Sequence, residues 1–97
     1  MTGRTNVIIN SGEDGGAFFF DCENHSGDHD VCTIASTLCN VVVAICLEKG
    51  YKIDTYEPGH VCIKGDHCDD QTSTVLRTVL RVFEQVEGQS PRLLKVY

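Results

Sequence analysis

Two short apolar segments near the start of the chain predict a β-hairpin. Residues 6–10 are mostly β-branched and apolar, and residues 17–23 are rich in aromatic side chains. Residues 11–16 between them are rich in glycine, which is typical of a turn. Strand alternation places at least one of three consecutive aromatic residues on the outer face of the sheet, as a candidate subunit contact: Phe18, Phe19 and Phe20.

Apolar residues at three- and four-residue spacing predict two helices. The first set follows a polar loop at 24–30 and ends at Gly50: Val31, Ile34, Ala35, Leu38, Val41, Val42 and Ile45. The second set follows an acidic pair at 69–70 and precedes Gly88: Val75, Leu76, Val79, Leu80, Phe83 and Val86. Pro91 is predicted to end this helical region. Each set gives a helix one apolar stripe, and acidic residues suit the first turn of the second helix.

Three further segments complete the predicted fold. Residues 51–56 and 60–64 alternate and flank a Glu-Pro-Gly turn, which predicts a second hairpin, and residues 92–97 after Pro91 predict a short last strand. The expected order is β-β-α-β-β-α-β. Both helices need a common surface, so we expect a two-layer α+β domain over residues 1–97. Its five-stranded sheet is mixed and mostly antiparallel, with both helices on one face; the strand order is left open.

Size and charge narrow the classes of function. A chain of 97 residues holds one core, which excludes a two-domain enzyme. Eight basic against fourteen acidic residues give a net charge of −6, which disfavours binding to nucleic acid and favours basic partners. The longest apolar run, VVVAICL, is too short to span a bilayer, and no signal peptide is visible at the start. We therefore expect a cytoplasmic protein whose six cysteines are free thiols.

The candidate chemistry lies between the second strand and the first helix. His25 falls at the end of the strand, and Cys32 falls at the start of the helix. A thiol attacks only as thiolate, which the partial positive charge of a helix N-terminus favours. The N–H groups there can also stabilise an oxyanion, while an imidazole transfers the proton. The pair can therefore form a nucleophile and base, or Cys32 can be a packing residue on a stripe with Cys39 and Cys46.

Several neighbouring residues could support this pair. Asp28 or Asp30 could orient His25 or cap the helix. Ser36, one turn after Cys32, could hydrogen-bond into the site or bond a backbone carbonyl four residues back. Cys22 is the rival nucleophile, although strand alternation places it on the face opposite His25.

Two other classes of function stay open at this stage. Four residues could bind a metal ion: His60, Cys62, His67 and Cys68. They lack the Cys-x₂₋₄-Cys pairs that structural zinc sites favour, so we expect no metal and no cofactor. The remaining alternative is a non-catalytic module whose acidic surface binds a basic protein.

The segment around the helix start resembles the ribosomal-processing cysteine protease family, Prp. A strand that ends in histidine, a short loop and the helix start Asp-Val-Cys-Thr-Ile-Ala-Ser-Thr-Leu carry the likeness, which extends over nearly the whole chain. Matching positions include His25, Val31, Cys32, Ser36 and Leu38. Three features differ: Asn24 stands where the family prefers glycine, the loop is several residues shorter, and His29 replaces an aspartate.

The resemblance implies a function and an assembly. It implies a cytosolic bacterial endopeptidase that removes the N-terminal extension of a large-subunit ribosomal protein, with Cys32 as nucleophile and His25 as base. It also implies a small α+β subunit that pairs as a homodimer. The basic precursor would suit a chain of net charge −6.

Overall fold

Five strands form one open sheet in the computed structural model, which describes residues 3–24 and 27–97. The strands are β1 (Thr5–Asn10), β2 (Phe18–Glu23), β3 (Ile53–Glu57), β4 (His60–Gly65) and β5 (Leu94–Val96). Their order is β3-β4-β2-β1-β5, with β1 and β5 parallel and the other neighbours antiparallel. The predicted α+β class, the element order and both hairpins are confirmed.

Two helices of 20 residues complete the fold, α1 (His29–Glu48) and α2 (Asp70–Gln89). Each begins after an aspartate in extended conformation whose carboxylate accepts a hydrogen bond from the backbone N–H three residues later. The second helix continues through Gly88. Its last turn is closed by a hydrogen bond from the N–H of Ser90 to the carbonyl of Val86. The helix ends at Gln89, and only Ser90 separates it from Pro91, the residue predicted to end the helical region.

One face of the sheet carries the whole apolar core. Alternate residues of β2 point to this face, as do their partners on the neighbouring strands. The buried apolar strand residues are Val7, Phe18, Phe20, Cys22, Val61, Ile63 and Leu94. Both helices cover this face, with a single cluster of buried side chains between the two layers. Phe19 is half-buried on the opposite face, as the alternation predicted for one of the three phenylalanines.

The first turn requires glycine at one position. Gly12 has φ of +65°, and a Cβ there would lie 2.6 Å from the Cβ of Cys68 and 2.9 Å from that of Phe18. A larger residue would therefore push apart the strand and the loop that precedes α2. This close approach ties the β1–β2 turn to the start of the second helix.

Helix α1 is unusually apolar for a surface helix. By length and composition it could cross a membrane, with a mean hydropathy of 2.0, and 39% of the relevant window is buried. Uncharged polar residues interrupt its apolar positions, so its longest continuous apolar run is much shorter than the helix. In the structure its buried side packs on the sheet, and the radius of gyration of 12.7 Å matches the value of about 13 Å for a compact chain of this size. This arrangement is consistent with a soluble protein.

Candidate functional site

The first turn of α1 places a thiol beside open space. Asp28 caps the helix, with its carboxylate 3.0 Å from the N–H of Val31. The N–H of Cys32 donates to the carbonyl of Asp28 over 2.9 Å, which fixes Cys32 at the fourth position of the helix. Cys32 is half-buried and lines two concave regions. One is a cleft of about 510 Å³, and the other is a small hollow formed with Gly27, Asp28 and His29.

The cleft lies between α1 and the end of the β3–β4 hairpin. Its walls come from four parts of the fold: Thr5 of β1, Cys22 and Asn24 at the end of β2, one face of α1, and the hairpin from Tyr56 to Val61. Along α1 the lining residues are Cys32, Ala35, Ser36, Cys39 and Asn40. Buried thiols and small apolar side chains form the floor, while polar side chains form the rim.

Backbone hydrogen bonds hold the end of β2 at this cleft. The N–H of Asn24 donates to the carbonyl of Gly59, and the buried hydroxyl of Thr5 donates to the carbonyl of Asn24. Asn24 has φ of +73°, in the left-handed region that glycine favours and asparagine tolerates. Asparagine and glycine are therefore both compatible with the backbone at this position.

A polar contact joins the two walls of the cleft at its rim. The hydroxyl of Tyr56 donates to Oδ1 of Asn40 over 3.1 Å, linking β3 to α1. Ser36 and Glu57 also lie on the rim, and both are exposed. The predicted placement of Ser36 on the same face as Cys32 is confirmed.

A pair of buried thiols occupies the cleft floor. Cys22 on β2 and Cys39 on α1 both line it, and a side-chain hydrogen bond between the two thiols is the largest cause of their shifted pKa values. This bond, with burial second, raises the pKa of Cys22 well above its usual range. The same bond lowers the pKa of Cys39 against the opposing effect of burial. A raised pKa disfavours the reactive thiolate, which weakens Cys22 as a rival nucleophile.

The other predicted site residues have different positions. His25 lies outside the described residues, so its role and the prediction that Cys22 faces away from it stay predictions. Between the two aspartates, Asp28 is the helix cap, and Asp30 is exposed in the first turn.

The residues of the metal hypothesis do not share one site. His60, at the start of β4, places Nε2 2.7 Å from Oδ1 of Asp21 on the outer face of the sheet. Cys62 follows on that face. Cys68, beyond the other end of β4, is buried against Gly12, and Nδ1 of His67 is 3.4 Å from the carbonyl of Gly15. Within the described ranges, the ligand atoms of His60 instead gather with those of Asp21 and Glu23, within 4.8 Å of one another.

Sequence reasoning missed the second wall of the cleft. Tyr56 and Glu57 carry no motif, and they reach the cleft only because β4 pairs with β2 and brings the hairpin beside α1. In the sequence, only the Glu-Pro-Gly segment pointed to this wall. It predicted a turn but not where the turn would lie in the fold.

Comparisons with known proteins identify the fold class but no family. No family model matches the chain, and no curated protein matches it significantly. The crystal structure of SMU.848 from Streptococcus mutans is similar over 97% of this chain and 96% of that chain, with a TM-score of 0.66 and 16% sequence identity. At this identity the likeness concerns the fold. The molecule is thus a small two-layer α+β protein with a thiol at a helix start beside a cleft.

Proposed function

We propose that this chain is a cysteine endopeptidase with Cys32 as nucleophile and His25 as its base. The observation that carries the proposal is the position of Cys32, in the first turn of α1 and on the lining of both the cleft and the hollow. A peptide laid across this point would have one side of its scissile bond in each concave region. A cysteine that served only as a packing residue would be enclosed by the core and would not line both concave regions.

The described residues on either side of His25 lie beside Cys32. Asn24, directly before His25, lines the cleft with Cys32, and Gly27, two residues after it, lines the hollow with Cys32. This supports proton transfer between the imidazole of His25 and the sulfur.

The reaction follows from this arrangement. The sulfur attacks the peptide carbonyl carbon, and His25 takes the thiol proton and gives it to the leaving amine as the C–N bond breaks. Water then hydrolyses the thioester, which restores the thiol. Because the N–H groups of Val31 and Cys32 already donate to Asp28, the first-turn donors for the oxyanion would be those of His29 and Asp30.

The charge of the rim favours a basic substrate. Glu57 lines the cleft, Asp30 is exposed in the same turn as Cys32, and the whole chain carries a net charge of −6. Ribosomal proteins are basic, so this supports the substrate implied by the resemblance, a ribosomal precursor with an N-terminal extension, processed in the cytoplasm.

An uncharged helix face supports the homodimer. Between Asp30 and Glu48, helix α1 has no charged residue, and its exposed side includes Ile34, Val41 and Leu47 at 37%, 43% and 63% exposure. A second copy could cover this face without burying a charge. Sedimentation or light scattering of wild type and Val41→Asp tests it: a shift from dimer to monomer is expected, whereas a monomeric wild type overturns it.

Alkylation and cleavage together test the peptidase proposal. Cys62 is the matched control thiol, since it is also half-buried, and burial together with the charge of Asp21 raises its pKa. Iodoacetamide at neutral pH should label Cys32 faster than Cys62, and Cys32→Ala should abolish cleavage of an N-terminally extended ribosomal precursor while Cys62→Ala retains it. Equal labelling with equal cleavage by both variants contradicts the proposal and leaves a protein-binding module.

A further inference from the structure

We propose that Asp21, Glu23 and His60 form a binding site for a divalent first-row transition-metal ion such as Zn²⁺, on the outer face of the sheet. The site does not rest on the peptidase proposal, since none of its ligands takes part in the attack by Cys32.

The strand register brings the three side chains together. Where β2 pairs with β4, Glu23 stands directly opposite His60. Asp21 lies two residues before Glu23 on the same strand, so both carboxylates project from the face opposite to that of the buried Cys22 between them. Directly opposed residues of an antiparallel pair have Cβ atoms about 4.5–5.5 Å apart. Two paired strands therefore hold the ligands, and no loop has to fold around the ion.

The ligand atoms are close enough to reach one ion. One oxygen of each carboxylate and one nitrogen of the imidazole all lie within 4.8 Å of one another. Nε2 of His60 is 2.7 Å from Oδ1 of Asp21, so this nitrogen faces the carboxylate. Atoms bound to a common tetrahedral ion at about 2.1 Å lie about 3.4 Å apart, so small side-chain rotations would complete the site.

The two carboxylates carry negative charge that basic side chains do not neutralise. In the part of the chain that the structure describes, Asp21 pairs with His60, and no lysine or arginine lies within salt-bridge distance of Asp21 or Glu23. Glu57, the partner of His60 on β3, adds a further negative charge nearby. The side chain of Asp21 is only 16% exposed, so water screens its charge incompletely. A bound cation would neutralise this concentration of charge.

The donor atoms select the kind of ion. Imidazole nitrogen suits Zn²⁺ and its neighbours in the first transition row, whereas a site of oxygen ligands alone suits Mg²⁺ or Ca²⁺. A thiol on the same face, Cys62, stands opposite Asp21, but its sulfur is not among the clustered ligand atoms. Three protein ligands leave a fourth position for water. We therefore expect Zn²⁺ to bind through one nitrogen and two oxygens, in preference to Mg²⁺.

Isothermal titration calorimetry of the full-length Cys32→Ala chain with ZnCl₂ tests the inference. This background removes the thiol beside the cleft, so neither Zn²⁺ binding by that thiol nor peptidase activity affects the result. We expect one saturable Zn²⁺ site per chain, weakened at least about tenfold in His60→Ala and in Glu23→Ala, because each variant loses a ligand. Absence of saturable binding would overturn the inference, as would an unchanged affinity in both variants.

Two matched variants in the same background separate this site from its neighbours. His67→Ala removes an exposed histidine outside the cluster, and Cys62→Ala removes the thiol on the same face. Both should bind Zn²⁺ as the parent chain does, with circular dichroism confirming that each variant is folded. Loss of binding in folded Cys62→Ala would assign the ion to a thiol and contradict the proposal.

Co²⁺ gives a second readout that does not depend on affinity. Bound by carboxylates and an imidazole, it should show d–d absorption bands without the sulfur-to-metal charge-transfer band that a thiolate ligand adds. His60→Ala should change the d–d bands because the nitrogen ligand is lost. A sulfur band in the parent chain, or a spectrum unaffected by His60→Ala, would contradict the assigned ligands.

Discussion

The two helix starts of this protein share one local design and differ in their surroundings. Asp28 and Asp69 cap helices of equal length, and each accepts a hydrogen bond from the N–H three residues later. Four residues after each cap, the N–H of Cys32 or of Ser73 donates to the cap carbonyl over 2.9 Å. Cys32 is half-buried beside two openings, whereas Ser73 is 5% exposed.

The second start is closed by side chains from the rest of the fold. The hydroxyl of Tyr51 donates to Oδ1 of Asp69 over 2.8 Å and accepts a hydrogen bond from the backbone N–H of Asp69. Nζ of Lys49 lies 3.5 Å from Oδ2 of the same aspartate. The first start instead opens on the cleft. A polar or nucleophilic residue at a helix start thus becomes a candidate site only where the neighbouring elements leave room for a substrate.

The largest expected difference between the two starts is in catalysis. Cys32→Ala should lower kcat/KM for an N-terminally extended basic precursor by on the order of 10³-fold or more, because the nucleophile is lost. Ser73→Ala should retain the activity, since its hydroxyl faces no opening. Steady-state kinetics of both variants measure this difference in kcat/KM. A value above a tenth of wild type in Cys32→Ala would contradict a catalytic role for the start of α1.

The closed start should contribute more to stability. Asp69→Ala should lower the free energy of unfolding by about 1–2 kcal/mol, because it removes the cap and the acceptor of the Thr72 and Tyr51 hydroxyls. Urea unfolding measures the loss. Asp66→Ala, at an exposed loop position, is the control and should change stability by less than about 0.5 kcal/mol. Equal effects of the two would contradict the role of the cap network.

The cap of the open start should also contribute to stability. Asp28→Ala should cost about 1 kcal/mol in urea unfolding, because it removes the acceptor of the Val31 N–H. Asp28→Asn keeps an acceptor and should stay within a few tenths of a kcal/mol of wild type. A loss as large as that of Asp69→Ala would show that the first cap is held as tightly as the second.

Acid should affect the closed start in a defined direction. The hydrogen bond from the Thr72 hydroxyl, with those from Tyr51 and the Thr72 N–H, holds the pKa of Asp69 well below its usual range. A lowered folded-state pKa stabilises the fold above the unfolded value of about 3.9, and this stabilisation is lost as the pH falls below it. Unfolding between pH 6 and 2 should therefore show a steeper acid loss in wild type than in Asp69→Asn. Parallel pH dependences of the unfolding free energy in the two proteins would contradict the lowered pKa of Asp69.

The smallest expected effect is at Ser73. Its Oγ is buried and has no hydrogen-bond partner among the residues that the structure describes. Ser73→Ala removes an unsatisfied group, so stability should be unchanged or higher by up to about 1 kcal/mol. A clear loss in thermal unfolding would indicate a hydrogen bond formed in solution.

Local patterns in the sequence determined the elements of this fold. Apolar spacing and turn residues predicted both hairpins, both helices and one outward phenylalanine, because a strand repeats every two residues and a helix every 3.6. The same patterns placed Cys32 and Ser36 on one helix face. The sequence also identified a thiol, an imidazole and two carboxylates close together along the chain.

The tertiary structure alone decided the surroundings of these candidate site residues. The strand order β3-β4-β2-β1-β5 brings the β3–β4 hairpin beside α1, and only this pairing creates the cleft that Cys22, Cys32 and Cys39 line. The tertiary structure also separated His60 from Cys68. It buried Ser73 at the start of α2, although the cap of α2 matches the cap of α1. Contacts between residues far apart in the chain leave no short-range pattern, since they depend on which faces pack together.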